Sequence, residues 1–159
     1  MPTDHPACSI ERTLEVVGER WTFLILRELF GGTHRFADLR AKLGIAPNLL
    51  STRLKTLTAA GLVEQHSYQE PGSRTRESYH LTATGRQLRL VLAALQQWGD
   101  ENRPRPSGPT CVRRSRRTNR PVRVALLDSA GREVALDDLD FVRTDQASIS
   151  TVSWGRRVR

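Results

Sequence analysis

Four residues, Gly44-Ile45-Ala46-Pro47, separate two short segments whose apolar residues both recur at helical spacing. Upstream, THRFADLRAKLG sets Phe36, Leu39 and Leu43 along one side and closes at Gly44. Downstream, a second segment opens at Pro47, whose missing N–H costs nothing in the first turn of a helix, and runs to Gly61. Two helices joined this tightly must pack at an angle, which predicts a helix-turn-helix. Leu49, Leu50, Leu54 and Leu57 supply the apolar side of the second helix, and Asn48, Ser51, Thr52, Arg53 and Lys55 supply its polar groups.

The neighbouring segments extend the pattern. Ile10, Leu14, Val16 and Val17 give a first helix an apolar side, with a stop or bend near Gly18. WTFLILRELF, from Trp21 to Phe30, is apolar nearly all round and predicts a helix at the centre of a small fold, ended by Gly31 and Gly32. Leu62 and Val63 begin a strand whose return partner is ESYHLT, residues 77–82. Between them Pro71-Gly72-Ser73 marks a turn, and Arg74 and Arg76 make its tip basic.

From Thr82 a last helix is expected to run to a stop at Pro104, with Leu88, Val91, Leu92, Leu95 and Trp98 forming an apolar stripe. That stripe exceeds what a hairpin needs as cover. The surplus predicts a partner helix from a second subunit, with Ile10, Leu14, Leu88, Leu92, Leu95 and Trp98 at the interface.

Residues 104–121, rich in Pro, Ser, Thr and Arg, read as a flexible basic linker. RVALLDSAGREVAL predicts a small hairpin around Ser129-Ala130-Gly131, and residues 139–143 a further short strand. The expected division is therefore a domain over 1–103, a linker over 104–121 and a small β-rich extension over 122–159.

Charge follows this division. Of the net charge of +8, residues 1–103 hold 13 Lys and Arg against 11 Asp and Glu, and residues 104–159 hold 12 against 6. Such a basic balance suits a polyanionic partner without locating it. Cys8 and Cys111 lie far apart, as free thiols of a reducing compartment would. The apolar runs are too short to cross a bilayer, and the first residues lack signal-peptide character, which predicts a cytoplasmic protein without a membrane partner.

Helix, helix, helix-turn-helix, hairpin, helix is the order of a winged helix-turn-helix: mainly α with a small amount of β, here carrying a C-terminal β-hairpin appendage. A helix fits the major groove of B-form DNA, where each base pair shows its own donors and acceptors. Pro47, Asn48, Ser51, Thr52, Arg53 and Lys55 are the candidate contacts of such a helix, serving bases or phosphates. Arg74 and Arg76 at the hairpin tip, with Arg35 and Arg40 before the turn, are candidates for phosphate or minor-groove contact. The competing reading of each is a solvated surface.

Three stretches, SIERTLEVVGERWTFLILREL after Cys8, HRFADLRAKLGIAPNLLSTRLKTLTAAGLVEQHSY, and ESYHLTATGRQLRLVLAALQQWG, together resemble the HxlR-type family of bacterial transcriptional regulators, which are similar in fold to the MarR group. The resemblance covers residues 8–103. It implies a homodimer bound to double-stranded DNA at an inverted repeat, with half-sites about one helical turn or a multiple apart. It also implies that Cys8 senses oxidants or electrophiles, helped by unpaired N–H groups at the start of the first helix. Many relatives carry a C-terminal segment with paired cysteines resembling a zinc ribbon. Here Leu127 and Ala130 stand at the knuckle positions, so no metal and no cofactor is expected.

An enzyme is the weakest alternative: Cys8 has no evident base, and no carboxylate pair, metal set or phosphate loop appears. His5, His34, His66 and His80 show no metal-ligand spacing. A protein-interaction adaptor with only nonspecific DNA binding is the main alternative, and the polar character of residues 51–55 argues against it. RNA is disfavoured because its A-form major groove is too narrow for this helix. A repressor released by a small molecule or by modification of Cys8 is the expected action. A cavity between the central helix, the hairpin base and the last helix is the expected place for an effector.

Overall fold

The computed structural model describes residues 8–69, 71–72 and 74–142. The chain divides into two compact units, residues 1–103 and residues 104–159, and each is treated by itself.

The first unit is organised around α2 (Arg20–Phe30), whose Thr22, Ile25, Leu26 and Leu29 are buried at the three- and four-residue steps of one helical face. α1 (Ser9–Val17) meets it through Val17 after a bend at Gly18. α3 (Phe36–Leu43) adds Leu39, and α4 (Pro47–Ala59) adds Leu50, Leu54 and Leu57, all but sealed from water. Burying a leucine side chain contributes about 1.5–3 kcal/mol, so these contacts dominate the stability of the unit. Ile45 in the connection joins the same core at 3% exposure. Gly44 closes α3 at φ 62°, a left-handed conformation that a residue without Cβ adopts at little cost.

β1 (Val63–Tyr68) pairs antiparallel with β2 (Arg76–Leu81), in register from Val63 opposite Leu81 to Tyr68 opposite Arg76. Strand alternation gives the hairpin two faces. Val63, Gln65, Ser67, Glu77, Tyr79 and Leu81 share one, while Glu64, His66, Tyr68, Arg76, Ser78 and His80 share the other. A bridge between Arg35 and Ser78, with the Tyr79 N–H donating to the His34 carbonyl at 2.8 Å, ties β2 to the segment before α3.

The last helix, expected as one piece from Thr82, is two: α5 (Ala83–Gln87) and α6 (Arg89–Asn102), meeting at Leu88. Its start is tightly anchored. The Thr82 hydroxyl donates to the Gly61 carbonyl at 2.7 Å and accepts from the Gly85 N–H at 3.0 Å. Gly85 lies so close to the base of β1 that a Cβ there would stand 2.0 Å from the Leu62 carbonyl oxygen.

The two faces of α6 differ. Leu88 and Leu92, expected from the sequence at the interface, are half-buried and pack against the core of their own unit. Leu90, Val91, Leu95 and Trp98 are the exposed apolar residues of α6, and Ile10 and Leu14 are those of α1. The stripe read as continuous is split because its two edges meet different surroundings.

In the second unit, β3 (Leu126–Leu127) and β4 (Glu133–Val134) form the small hairpin. Asp128 organises its turn: one carboxylate oxygen accepts the N–H groups of Ala130 and Arg132, both at 2.9 Å, and the other accepts Arg132 Nε at 2.9 Å. These bonds, led by those from Arg132, hold the Asp128 carboxyl below its ordinary range. Arg123 pairs with Glu133 across the hairpin.

The stretch read as a flexible linker also contains an ordered turn, closed by Ser115 N–H to Arg120 carbonyl and Val122 N–H to Arg113 carbonyl hydrogen bonds. The short strand expected over 139–143 is absent over 139–142, and residue 143 lies outside the described residues. A 3-10 turn, Leu136–Asp138, precedes it. Leu136 and Phe141 are each 80% exposed, and the intervening aspartates disfavour a strand that has no face to bury.

Gly85→Ala forces the α5 start away from Leu62. We expect a loss of about 3 kcal/mol in unfolding free energy, read by thermal or denaturant melting.

Candidate nucleic-acid interface

Helical geometry separates the polar residues of α4 into two groups. At about 100° per residue, Asn48, Thr52, Lys55 and Ala59 fall within one arc, with Ser51 at its edge, opposite Leu50, Leu54 and Leu57. Asn48, Thr52 and Lys55 are exposed accordingly, and Ser51 is half-buried. The Thr52 hydroxyl donates to the Asn48 carbonyl at 2.9 Å, so in the free protein it presents lone pairs outward rather than its proton. Pro47 occupies the first turn of α4 and is exposed.

Arg53 departs from the expectation that it shares this face. It lies about 140° around the helix from Asn48, on the flank between Leu49 and Leu57. Its guanidinium reaches back to Glu19 at the start of α2, at 3.4 Å, and its side chain is 22% exposed. Arg53 Nε is buried without a hydrogen-bond partner.

Arg40 is exposed on α3, beside a shallow cleft that it lines with Ala37, Ala41, Gly44 and Ile45. Arg35 stands at the start of α3 with its guanidinium 5.0 Å from the centre of the Tyr68 ring, so it also serves the joint between wing and body. Arg74 and Arg76 are exposed at the end of the wing. Between α4 and the wing runs a cleft of about 450 Å³ lined by Ser51, Lys55, Thr58, Gln65 and Tyr79 among others. Burial, with a smaller contribution from Glu77, raises the pKa of the Tyr79 phenol, which stays neutral and able to donate.

The opposite face of the wing carries a group that the sequence reading left unassigned. His34, His80 and His66 stack, with ring centres 4.3 Å and 4.7 Å apart. The signal was present in the hairpin register, where His80 lies opposite Glu64 and His66 opposite Ser78, making the two histidines diagonal neighbours. Burial first, then the adjacent His34 and His66 rings, hold the His80 imidazole below its ordinary value, against a smaller opposing effect of Glu64.

A helix-turn-helix presenting a polar second helix beside a two-stranded wing defines a winged helix-turn-helix protein, a class built to engage double-stranded DNA. The comparisons narrow the class. The model of the HxlR-like helix-turn-helix family matches residues 16–107. A helix-turn-helix-type transcriptional regulator of Mycobacterium tuberculosis, Rv3095, is 48% identical over 101 residues, covering 64% of this chain and 63% of that protein's own length.

Among solved structures, PA1607, a candidate transcription factor, superimposes with a TM-score of 0.76 at 31% identity, over 87% of this chain and 96% of that one. The redox regulator HypR in its oxidised form gives 0.54 at 29% identity, over 60% of this chain and 97% of that one. The chain belongs to the HxlR-like family of helix-turn-helix transcriptional regulators, and it spans a little under two thirds of the length of the mycobacterial relative it matches. No helix among the described residues is long and apolar enough to cross a membrane.

Because the His80 pKa is depressed by folding, the unfolded chain binds the proton more readily. The corresponding stability is present above the ordinary imidazole value of about 6.5 and is lost as pH falls through the lower folded value. His80→Gln should therefore flatten the decline in melting temperature between about pH 7 and pH 5 relative to the parent, measured at constant ionic strength.

Proposed function

We propose that the protein is a homodimeric repressor that binds an inverted repeat, reading the major groove with the exposed arc of α4. The observation that carries this reading is the solvent-facing set Asn48, Thr52 and Lys55 on a helix whose other side is locked into the core. Ser51 borders the set. Pro47, at the tip of α4, sets the depth of entry. Arg40, Arg74 and Arg76 supply phosphate contacts, with Arg35 adding charge beside the wing. Arg53 positions the helix through Glu19, a role different from base reading.

Dimerisation rests on the apolar surface that the first unit leaves open. Ile10 and Leu14 on α1 are 61% and 53% exposed, and Leu95 and Trp98 on α6 are 50% and 59% exposed. Large apolar side chains concentrated on two helices mark an association surface. With two-fold symmetry, two copies of α4 face successive turns of one duplex, and occupancy of a promoter blocks transcription. The protein acts in the cytoplasm, where its operator lies.

For the input, Cys8 is exposed and immediately precedes α1, an element of the proposed dimer surface. The similarity to HypR, a redox regulator, supports oxidation or electrophile capture at Cys8 as a release signal. A small-molecule effector is the other proposed input.

Selection of duplexes from a random pool tests the reading. The parent should enrich one inverted repeat, Lys55→Ala and Asn48→Ala should weaken or relax that preference, and diamide should release DNA from the parent but not from Cys8→Ser. Arg40→Ala removes one phosphate contact from each protomer of the dimer and should lower the slope of log affinity against log salt by about 1.8. Enrichment of no sequence, with binding only at low salt, would favour the adaptor.

Leu95→Glu places a charge on the proposed dimer surface. We expect a monomer by sedimentation and at least about a hundredfold weaker operator binding, since two linked half-sites bind far more tightly than one.

A further inference from the structure

The wing face directed away from α4 encloses chemistry that reading DNA does not use. An open cleft of about 330 Å³ is lined by Leu29 and Phe30 of α2, His34, Glu64 and His66 of β1, His80 and Leu81 of β2, Arg86 of α5 and Arg89 of α6. Leu29, Leu81 and the half-buried Phe30 give it a small apolar edge, and its walls are mostly cationic or able to become so. We propose that this cleft binds a small organic anion, a carboxylate carried on an apolar body, and that uptake of the anion is coupled to protonation of the histidine stack.

The hydrogen-bond partners constrain which ring nitrogens carry protons, with the tautomers assigned from those partners. His34 Nδ1 lies 2.9 Å from the Tyr79 carbonyl, which only accepts, so Nδ1 is the donor. The Ser78 hydroxyl donates to the His66 carbonyl at 3.1 Å, so toward His80 Nε2, at 3.0 Å, it acts as acceptor. In the neutral stack each of these two rings retains one nitrogen able to take a further proton. His66 Nε2 lies 3.5 Å from Glu64, the one carboxylate among the described residues that line the cleft.

Charge accounting favours an anion. Arg86 donates to the Leu81 carbonyl at 2.7 Å, which holds its guanidinium at the rim, and Arg89 lies 4.7 Å from the centre of the Phe30 ring. Neither has a carboxylate partner among the described residues. The nearest acid of α2, Glu28, is engaged by Arg27 at 2.8 Å and Lys42 at 3.9 Å. Farther along the same face stand Arg35, over Tyr68, and Arg76. Two imidazolium rings in contact repel each other, and an anion beside them relieves that repulsion, so proton and anion bind together.

The alternatives fit less well. Face-to-face rings do not converge their lone pairs on one metal ion, which needs a tetrahedral or similar arrangement. The major-groove surface proposed for α4 borders the other wing face, whose Gln65 and Tyr79 line the cleft beside α4, and of the proposed phosphate contacts Arg35 and Arg76, farther out along the wing, share the histidine face. The half-buried Phe30, edged by Leu29 and Leu81, gives a ligand body limited apolar contact, and the volume, at the small end for ligand sites, suits a single ring or a short chain. The inference gives chemistry to the effector reading but does not depend on DNA binding.

The test follows the histidine Cε1–H resonances of the full chain, without DNA, while benzoate or inorganic phosphate is added at about pH 5.5 and pH 7.5. We expect benzoate to shift the three stack resonances saturably, about fivefold more tightly at the lower pH, as a one-unit rise in the apparent pKa of the stack on binding gives over this pH interval, about tenfold being its limit. Arg89→Gln should abolish the shift, and His80→Gln should keep binding but reduce its pH dependence. No shift in the parent at the lower pH, equal affinity at both pH values, or an undiminished shift in Arg89→Gln overturns the proposal. An equal response to inorganic phosphate overturns the apolar part of the site.

Discussion

Burial of Leu50, Leu54 and Leu57 against α2 determines what α4 offers to the outside. Three leucines on one side of a helix leave it a single stable rotation about its axis, since turning any of them to water forfeits about 1.5–3 kcal/mol. The opposite arc, Asn48, Thr52 and Lys55, is exposed as a result of that choice. Arg53 stands on the flank, and its pairing with Glu19 links the rotation of α4 to the first turn of α2. The recognition proposed for this helix therefore depends on apolar packing on its opposite side.

Much of this architecture was legible in the chain. Gly44 and Pro47 bracket a connection too short for anything but a tight turn, and the near-continuous apolar character from Trp21 to Phe30 required a central helix. Three features were not legible. Arg53 reads as polar, yet its angle places it beside the core, and composition carries no angle until the helix start is known. Leu88 and Leu92 share spacing with Leu95 and Trp98, but only packing shows which of them the unit covers itself. The alternation over residues 139–142 looks strand-like, whereas a strand also needs a neighbour and a surface to bury.

The histidine stack illustrates a different limit. His34, His66 and His80 are separated by 32 and 14 residues, spacings that suggest no site on their own. Hairpin register brings two of them together, and the bridge from Arg35 to Ser78 brings the third. A search for ligand spacing misses such groups because stacked rings are assembled by pairing across strands. Their position also places them at the seam between wing and helical body.

The contact of Gly85 with the Leu62 carbonyl, reinforced by the Thr82 hydroxyl on Gly61, leaves no slack between the root of the wing and the start of α5. Helix and hairpin thus behave as a rigid crank with its pivot at residues 61–62 and 82–85. Any tilt imposed along α6, whose exposed residues lie one to three turns from that pivot, swings the arginine-bearing tip through a larger distance than the tilt displaces the helix itself. In the proposed dimer, the spacing between the two wings is set at that pivot, by backbone packing and one threonine hydroxyl.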